Sequence, residues 1–261
     1  MFRKSVNFLT LFFLFVNSIF TNIIRIYAAS DLRYALDEIK TTYQNNDKIY
    51  ITYGSSGKGF QQIINGAPYD MFFSANLIYA NKIYEILHMQ KVNVSKPKIF
   101  AEGRIVLFLL KNHPYANEFL KKNDFKSILI SKKINKIAIA NEKFAPYGIA
   151  AKEFLNQLNI YNYLKNKFII GESISHTATY VLTGSVDLGI LALSIVKNKQ
   201  IEEKGYIKLI PKKYHNPIRQ AYVVIFKNNS LLLNDFIKHF HSLKSQQILK
   251  NYGFEIPKYQ L

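Results

Sequence analysis

The sequence predicts an α/β protein of two lobes, each a mainly parallel sheet flanked by helices. The first observation is a recurring unit of apolar strand, turn of small residues and helix, which is typical of α/β folds. The second is that this pattern restarts near residue 104. The third is size, because 261 residues that are 49% hydrophobic can bury one large core or two of ordinary size. The restart of the pattern favours two cores, one in each lobe.

The first residues have the features of a secretory signal. Met1–Lys4 is positively charged, and the apolar run Phe8–Phe20 is shorter than the roughly 20 residues of a membrane-spanning helix. We predict a signal peptide over residues 1–21. Small residues are scarce around its cleavage positions, so an uncleaved anchor stays open as an alternative. Cleavage removes Arg3 and Lys4 and no acid, so the charge falls from +18 by 2 to +16.

The first strand–turn–helix unit consists of an apolar strand at 23–27, the small residues at 28–31 and an amphipathic helix pattern. Ser30 and Asp31 are ordinary helix N-cap residues, and capping alone would account for both. The functional interpretation is that the Ser30 hydroxyl and the nearby amides face a ligand. Turns that follow parallel strands meet at the carboxyl edge of a sheet, where open α/β sheets bind ligands.

The second unit contains the most informative turn, Gly54-Ser55-Ser56-Gly57, between a strand at 49–53 and a helix that stops at Gly66. The unpaired N–H groups and the dipole at a helix start favour an anion, and the serine hydroxyls add neutral donors. The spacing fits neither a phosphate-binding P-loop nor the Gly-x-Ser-x-Gly nucleophile elbow. A plain serine N-cap without a ligand stays open.

The remaining pattern completes the two lobes. In the first, a short strand at 71–73 precedes a helix at 77–87 that Ser74 is expected to cap. The predicted elements of the rest of the chain are strands at 104–110, 136–140, 168–170, 187–192 and 221–226, helices at 149–158 and up to about 184, and an amphipathic C-terminal segment at 233–252. We predict lobe I over 22–103 plus 220–261 and lobe II over 104–219, with hinges near Gly103-Arg104 and Arg219-Gln220.

Composition excludes several classes of function. The chain has no cysteine, which excludes disulfides, thiolate metal sites, a cysteine nucleophile and lipidation at an N-terminal cysteine. Its lysines are spread along the chain without arginine-rich blocks, a pattern that does not favour nucleic acid. The six histidines show no metal-ligand spacing, and no nucleophile–base system is visible. We therefore expect no enzyme activity, no cofactor and no resident metal.

Five segments together resemble the periplasmic molybdate-binding proteins (ModA family) of ABC transporters, over about residues 23 to 257. They are AASDL at 28–32, GSSG at 54–57, QQIINGAPYDMFFSA at 61–75, APYG at 145–148 and DLGILAL at 187–193. The resemblance implies a type II periplasmic-binding-protein fold with the ligand in a cleft between the lobes. It also implies a periplasmic monomer that delivers molybdate or tungstate to the membrane permease of an ABC transporter.

The same resemblance implies the binding residues. Ser30 and Ser56 would supply hydroxyl and amide donors from the first lobe. Beside them, we expect Asp31 to contribute only its backbone amide. Tyr147 would supply its phenol, and Ile174 its backbone amide, from the second lobe. Neutral hydroxyls and helix N-terminal amides can hold a tetrahedral dianion without a cation, so selectivity then comes from cavity size. Molybdenum would be present only within the bound oxyanion.

Asp31 discriminates between possible ligands. An inward carboxylate would repel a dianion, so we expect the side chain to cap the helix or to face outward. Turned inward, it would instead accept a proton from hydrogen phosphate, and a protein that binds phosphate or sulfate is therefore the alternative. An enzyme or a ligand sensor on the same fold is the alternative of another class, because a fold does not fix function.

Overall fold

The computed structural model describes residues 23–225 and 231–257. The predicted signal peptide at 1–21 lies outside the described residues. Within the described ranges, none of the helices has the length and apolar character needed to cross a membrane.

The first sheet forms the centre of lobe I and, within the described residues, has five strands. Their order is β2-β1-β3-β10-β4, with bounds β1 Ile24–Ala29, β2 Ile49–Gly54, β3 Met71–Ser74, β4 Lys98–Gly103 and β10 Ile218–Val224. Strand β1 pairs in parallel with β2 and β3, and β10 runs antiparallel to β3 and β4. Only β10 therefore runs against the common direction of this described sheet.

The second sheet repeats this plan in lobe II. Over the same described ranges its order is β7-β6-β8-β5-β9, with bounds β5 Ile105–Leu110, β6 Ile137–Ala140, β7 Phe168–Gly171, β8 Leu188–Ala192 and β9 Gly205–Leu209. Strand β6 pairs in parallel with β7 and β8, and β5 is antiparallel to β8 and β9. The sheets are thus mixed, and the two-lobed α/β architecture predicted from the sequence is confirmed.

Helices cover the faces of both sheets. Their bounds are α1 Arg33–Thr41, α2 Ser56–Ile64, α3 Leu77–Met89, α4 Ala116–Lys121, α5 Phe125–Leu129, α6 Pro146–Gln157, α7 Tyr161–Leu164, α8 Ile174–Leu182, α9 Leu193–Val196, α10 Lys199–Glu202, α11 Leu231–Phe240 and α12 Leu243–Asn251. One apolar cluster packs α1, α11 and α12 on one face of the first sheet, and a second packs α2 and α3 on the other. The largest cluster fills lobe II.

The chain crosses between the lobes twice. Strand β4 ends at Gly103 and β5 begins at Ile105, while the return path runs from the end of β9 to the start of β10. Arg104 lies in the first crossing, where its Nη1 is 2.8 Å from Glu255 Oε1 and its Nη2 donates to the Ile210 carbonyl oxygen at 3.1 Å. These contacts connect the crossings to each other and to the C-terminal segment. The predicted lobe limits and hinges lie at or beside these positions and stay predictions.

Several elements differ from the sequence prediction. Strands β4 and β9 were not predicted, because both are edge strands that carry lysine among their apolar residues. The C-terminal segment is two helices, because Ser242 caps α12 by accepting the Ser245 N–H at 3.2 Å. The prediction that Ser74 caps α3 was wrong. Ser74 ends β3, and the cap is Asn76, whose Oδ1 accepts the Tyr79 N–H at 3.0 Å.

Substitution of Gly148 tests how closely α6 packs against the second sheet. A Cβ at this position would overlap the backbone of Ala140, the last residue of β6, and of Asn141, which follows it. We expect Gly148→Val to lower the free energy of unfolding by about 1–3 kcal/mol or more, since the backbone cannot yield as a flexible side chain would. Urea denaturation measures this change. Asn156→Val, at an exposed position of the same helix, is the control and should stay within about 0.5 kcal/mol of wild type. Equal stabilities for the two variants would contradict the close packing.

Candidate ligand site between the lobes

A small pocket lies between the lobes, beside the carboxyl ends of β1 and β2. All five residues singled out from the sequence line it, namely Ser30, Asp31, Ser56, Tyr147 and Ile174. The other lining residues are Ala29, Gly54, Ser55, Ala75, Ala145 and Pro146. The cavity volume is about 10 Å³, which is room for about one water molecule. The lobes are therefore close together, and a ligand larger than one water molecule requires them to move apart.

Helix starts from both lobes converge on this pocket. Ser56 is the first residue of α2, Ile174 is the first of α8, and Tyr147 follows Pro146 at the start of α6. A 3-10 turn at Ser30–Leu32 provides a fourth start. The first N–H groups of a helix have no partner within the helix, and its dipole makes this end mildly positive. The arrangement suits a negatively charged ligand.

Ser56 is fully buried and keeps a hydroxyl proton to donate. Its Oγ accepts the backbone N–H of Ala75 at 2.9 Å, which fixes the oxygen and leaves the O–H free for another acceptor. The helix cap is the neighbouring Ser55, whose Oγ accepts the Lys58 N–H at 3.4 Å. The plain-cap interpretation of this turn therefore applies to Ser55 and not to Ser56.

Ser30 connects the first lobe to α8. Its Oγ accepts the N–H of Ser175 at 3.3 Å, and the Ser175 hydroxyl donates to the Ser30 carbonyl oxygen at 2.9 Å. Ser30 does not cap the turn that it begins, because Ala29 holds the cap position and no side chain there makes a capping bond. Capping therefore does not explain this serine.

The side chain of Asp31 contradicts the orientation expected from the sequence. It neither caps a helix nor faces outward, but is 1% exposed. Its Oδ2 accepts the Tyr147 hydroxyl at 2.8 Å and the Gln220 Nε2–H at 2.9 Å. These donors are 116 and 189 residues away in the sequence, so local pattern could not indicate the inward orientation. The other oxygen, Oδ1, is buried without a hydrogen-bond partner among the described residues.

Burial raises the pKa of both titratable groups of this cluster. It raises the pKa of Asp31 to about 7, against the hydrogen bonds from Tyr147 and Gln220 that lower it. The pKa of Tyr147 lies well above its ordinary value, first because of burial and then because of the adjacent Asp31 charge. Tyr147 is therefore a neutral phenol at neutral pH, whereas Asp31 changes its charge there.

Gln220 is the residue of this cluster that sequence reasoning did not assign to the site. It is fully buried in β10, and its Nε2 lies 3.3 Å from the Tyr147 hydroxyl oxygen as well as close to Asp31. Gly103, at the end of the neighbouring strand, makes room for the phenol, because a Cβ there would overlap the Tyr147 hydroxyl. A glutamine directly before the apolar residues 221–224 of β10 was the available signal, since buried polar side chains need a partner.

Further contacts join the lobes at the rim of the pocket. Gly57 N–H donates to the Phe144 carbonyl oxygen at 2.8 Å, and the Tyr79 hydroxyl donates to that of Lys143 at 3.0 Å. Lys58 Nζ lies 2.5 Å from Glu172 Oε2, with 44% and 68% of the two side chains exposed. An ion pair this exposed contributes little, about 0–1 kcal/mol. This ion pair therefore adds little to the cost of separating the lobes at the rim.

Size alone does not identify the site. A larger hollow of about 340 Å³ lies on lobe I and is lined by Ile23, Arg25, Tyr50, Thr52, Pro68 and Tyr69. None of these residues belongs to the first turn of a helix, so the hollow lacks the converging N–H groups of the interlobe pocket.

Comparison with known proteins identifies the family. The model of the family described as bacterial extracellular solute-binding protein matches residues 24–255. The chain belongs to this family.

Relatives within the solute-binding proteins confirm the resemblance predicted from the sequence. The molybdate-binding protein ModA of Azotobacter vinelandii is 28% identical over 240 residues, which cover 88% of this chain and 89% of that protein. ModA of Rhodobacter capsulatus is 26% identical over 82% of this chain and 79% of its own length. The solved periplasmic molybdate-binding protein of Azotobacter vinelandii superposes with a TM-score of 0.76 at 26% identity, and the match covers 90% of this chain and 100% of that one.

In this solute-binding protein, the buried Asp31 should make stability depend on pH. Its folded-state pKa of about 7 exceeds the ordinary 3.8, so its cost to the folded state is absent below about pH 4 and grows as pH rises towards 7. Between pH 5 and pH 8 we expect this group to lower the free energy of unfolding by about 2–3 kcal/mol.

Urea denaturation without added anion at the two pH values measures this loss. Asp31→Asn should remove it, because the amide has no proton to lose. Asp47→Asn replaces an exposed aspartate and should keep the wild-type difference. If Asp31→Asn showed the same pH dependence as wild type, the loss of stability would not come from ionisation of the buried Asp31 carboxyl group.

Proposed function

We propose that this protein is the extracytoplasmic binding component of a molybdate ABC importer, and that it binds molybdate or tungstate between its lobes. The observation that carries the proposal is the convergence of four helix starts, two from each lobe, on one small pocket between the lobes. Among the described residues, no lysine, arginine or histidine lines this pocket. Neutral donors and helix dipoles suit a tetrahedral dianion, which the relatives named as molybdate-binding proteins also suggest.

Five of the lining residues have a role in this proposal. Ser56 and Ser30 donate hydroxyl groups from lobe I, and Asp31 contributes its backbone amide. Ile174 offers its backbone N–H as the first residue of α8, and Tyr147 its phenol, from lobe II. A cavity with this fixed set of donors selects by size, so that molybdate and tungstate fit alike and sulfate, which is smaller, fits less well.

The wider role follows from the same proposal. The protein would act in the periplasm as a monomer, would catalyse no reaction, and would pass its anion to a membrane permease. Membership of an extracellular solute-binding family supports this role. Because the cavity is small and the rim is joined across the lobes, the anion would enter an open form and favour the closed one by bridging both lobes.

Hydrogen phosphate is a second candidate ligand, and one observation favours it. The Asp31 carboxylate faces inward, and its Oδ1 has no partner among the described residues. A carboxylate oxygen in this position would accept the O–H of a protonated oxyanion, which molybdate at neutral pH does not carry. The choice of ligand therefore depends on the protonation of this one group.

Calorimetric titration with molybdate, tungstate, sulfate and phosphate at pH 6.5 tests the proposed function. We expect molybdate and tungstate to bind at one site per chain and sulfate to bind much more weakly, because the donors are spaced for the larger anions. Binding of phosphate without binding of molybdate would overturn the proposal in favour of the second candidate.

Substitution of Ser56 separates an anion donor from a structural serine. A hydrogen bond to a charged group contributes about 1.5–3 kcal/mol, so Ser56→Ala should weaken molybdate binding by about tenfold to a hundredfold. Ser242→Ala, which removes the cap of α12 in lobe I away from the pocket lining, is the control. It should lower the melting temperature and leave the affinity unchanged. Wild-type affinity in Ser56→Ala would remove this serine from the site.

A further inference from the structure

We propose that anion binding in this protein is linked to protonation, such that the closed site takes up one proton from solvent with each molybdate and holds it on the Asp31 carboxyl group. The inference rests on the proposed function, because it requires a dianion in the interlobe pocket. It makes Asp31 a residue that determines specificity rather than a passive part of the wall.

The Tyr147 hydroxyl has a single proton to donate. In the closed structure this proton is donated to Asp31 Oδ2 at 2.8 Å. A phenol has one O–H, so it cannot donate to a carboxylate and to a bound anion at the same time. While Asp31 is ionised, Tyr147 therefore presents only oxygen lone pairs to the pocket, and lobe II loses its side-chain donor.

An ionised Asp31 also places a negative charge beside the bound dianion. The Asp31 carboxylate is 1% exposed and lines the same pocket as the proposed anion donors. Two negative charges a few ångströms apart repel strongly where water is excluded. A dianion and an ionised Asp31 are therefore incompatible neighbours in the closed form.

No cation from the surrounding elements offsets this repulsion in the described residues. The groups that face Asp31 are Tyr147 on α6, Gln220 on β10, Ser194 on α9 and the backbone N–H groups of its own turn. The nearest elements do carry cations, but these point elsewhere. Arg33 on α1 lies over the Tyr53 ring, His176 on α8 stacks on Tyr180, and Arg104 at the crossing pairs with Glu255.

One proton on Asp31 removes both obstacles. The carboxyl group becomes neutral and donates its new O–H to the Tyr147 oxygen, and the Tyr147 O–H is then free to turn towards the anion. Gln220 accommodates either state, because its N–H₂ group can donate to a lone pair of the Asp31 oxygen whether or not that oxygen carries a proton. The balance is simple: one proton leaves solvent, one O–H bond forms on the carboxylate, and no other covalent bond changes. Burial supports this step, since it already raises the pKa of Asp31 to about 7.

The linkage also sets how ligands compete. Hydrogen phosphate carries its own proton and donates it to an ionised Asp31, so its binding needs no proton from solvent. Molybdate carries no proton of its own, so its binding needs one from solvent. Rising pH therefore disfavours molybdate relative to hydrogen phosphate in the same pocket.

Calorimetry in two buffers with different ionisation enthalpies, HEPES and Tris, counts the protons that accompany molybdate. At pH 8 we expect the uptake of about one proton per bound molybdate. The affinity should fall by about tenfold for each pH unit above 7, because every binding event then needs a proton that the free site has lost. Asp31→Asn should take up no proton and should show an affinity that does not change between pH 7 and pH 9. Asp47→Asn, at an exposed position, should behave as wild type.

The outcomes separate the two proposals. Binding of molybdate by wild type without proton uptake overturns this inference and leaves the proposed function intact. Proton uptake that persists in Asp31→Asn also overturns it, since another group would then hold the proton. Failure to bind molybdate at any pH overturns the proposed function and this inference with it. The proton count on wild type stands even if Asp31→Asn does not fold.

Discussion

The Asp31 carboxylate, enclosed where the two lobes meet, is the constraint on which the rest of the site depends. Taking a carboxylate out of water is expensive unless it is paired or hydrogen-bonded. Here the donors come from both lobes, Tyr147 from α6 and Gln220 from the return strand β10. Closure of the lobes and the hydrogen bonding of Asp31 are consequently one event. Ser56 and Ile174 line the same pocket from opposite lobes.

The fold provides the rest of the site by repetition. In each lobe, parallel strands end at one edge and are followed by short turns and helix starts, so that the helix starts after β1, β2 and their counterparts in lobe II face the same gap. The two serines of lobe I differ in a useful way from ordinary caps. Ser56 and Ser30 each accept a backbone N–H and retain a proton to donate. A set of neutral donors of this kind holds an anion without a lysine or arginine.

Much of this arrangement could be predicted from the sequence because it is local. The strand–turn–helix units, the helix start at Ser56 and the turn before Ile174 follow from residues within about ten positions of each other. The orientation of Asp31 could not be predicted in this way, because Tyr147 and Gln220 reach it only after both lobes have folded. The caps show the same limit on a smaller scale. Ser55 rather than Ser56, and Asn76 rather than Ser74, accept the helix N–H groups, since the backbone decides between neighbouring polar residues.

A crystal structure with molybdate, grown at pH 6.5, is the most direct test of the central claim that an anion is held by neutral donors from both lobes around a protonated Asp31. The account predicts one molybdate in the interlobe pocket, with anion oxygens within hydrogen-bond distance of Ser56 Oγ, of the Ile174 backbone N and of the Tyr147 hydroxyl, while that hydroxyl also keeps its contact with Asp31. A molybdate bound elsewhere, or an Asp31 side chain turned out to solvent with the anion in its place against Tyr147, would contradict it.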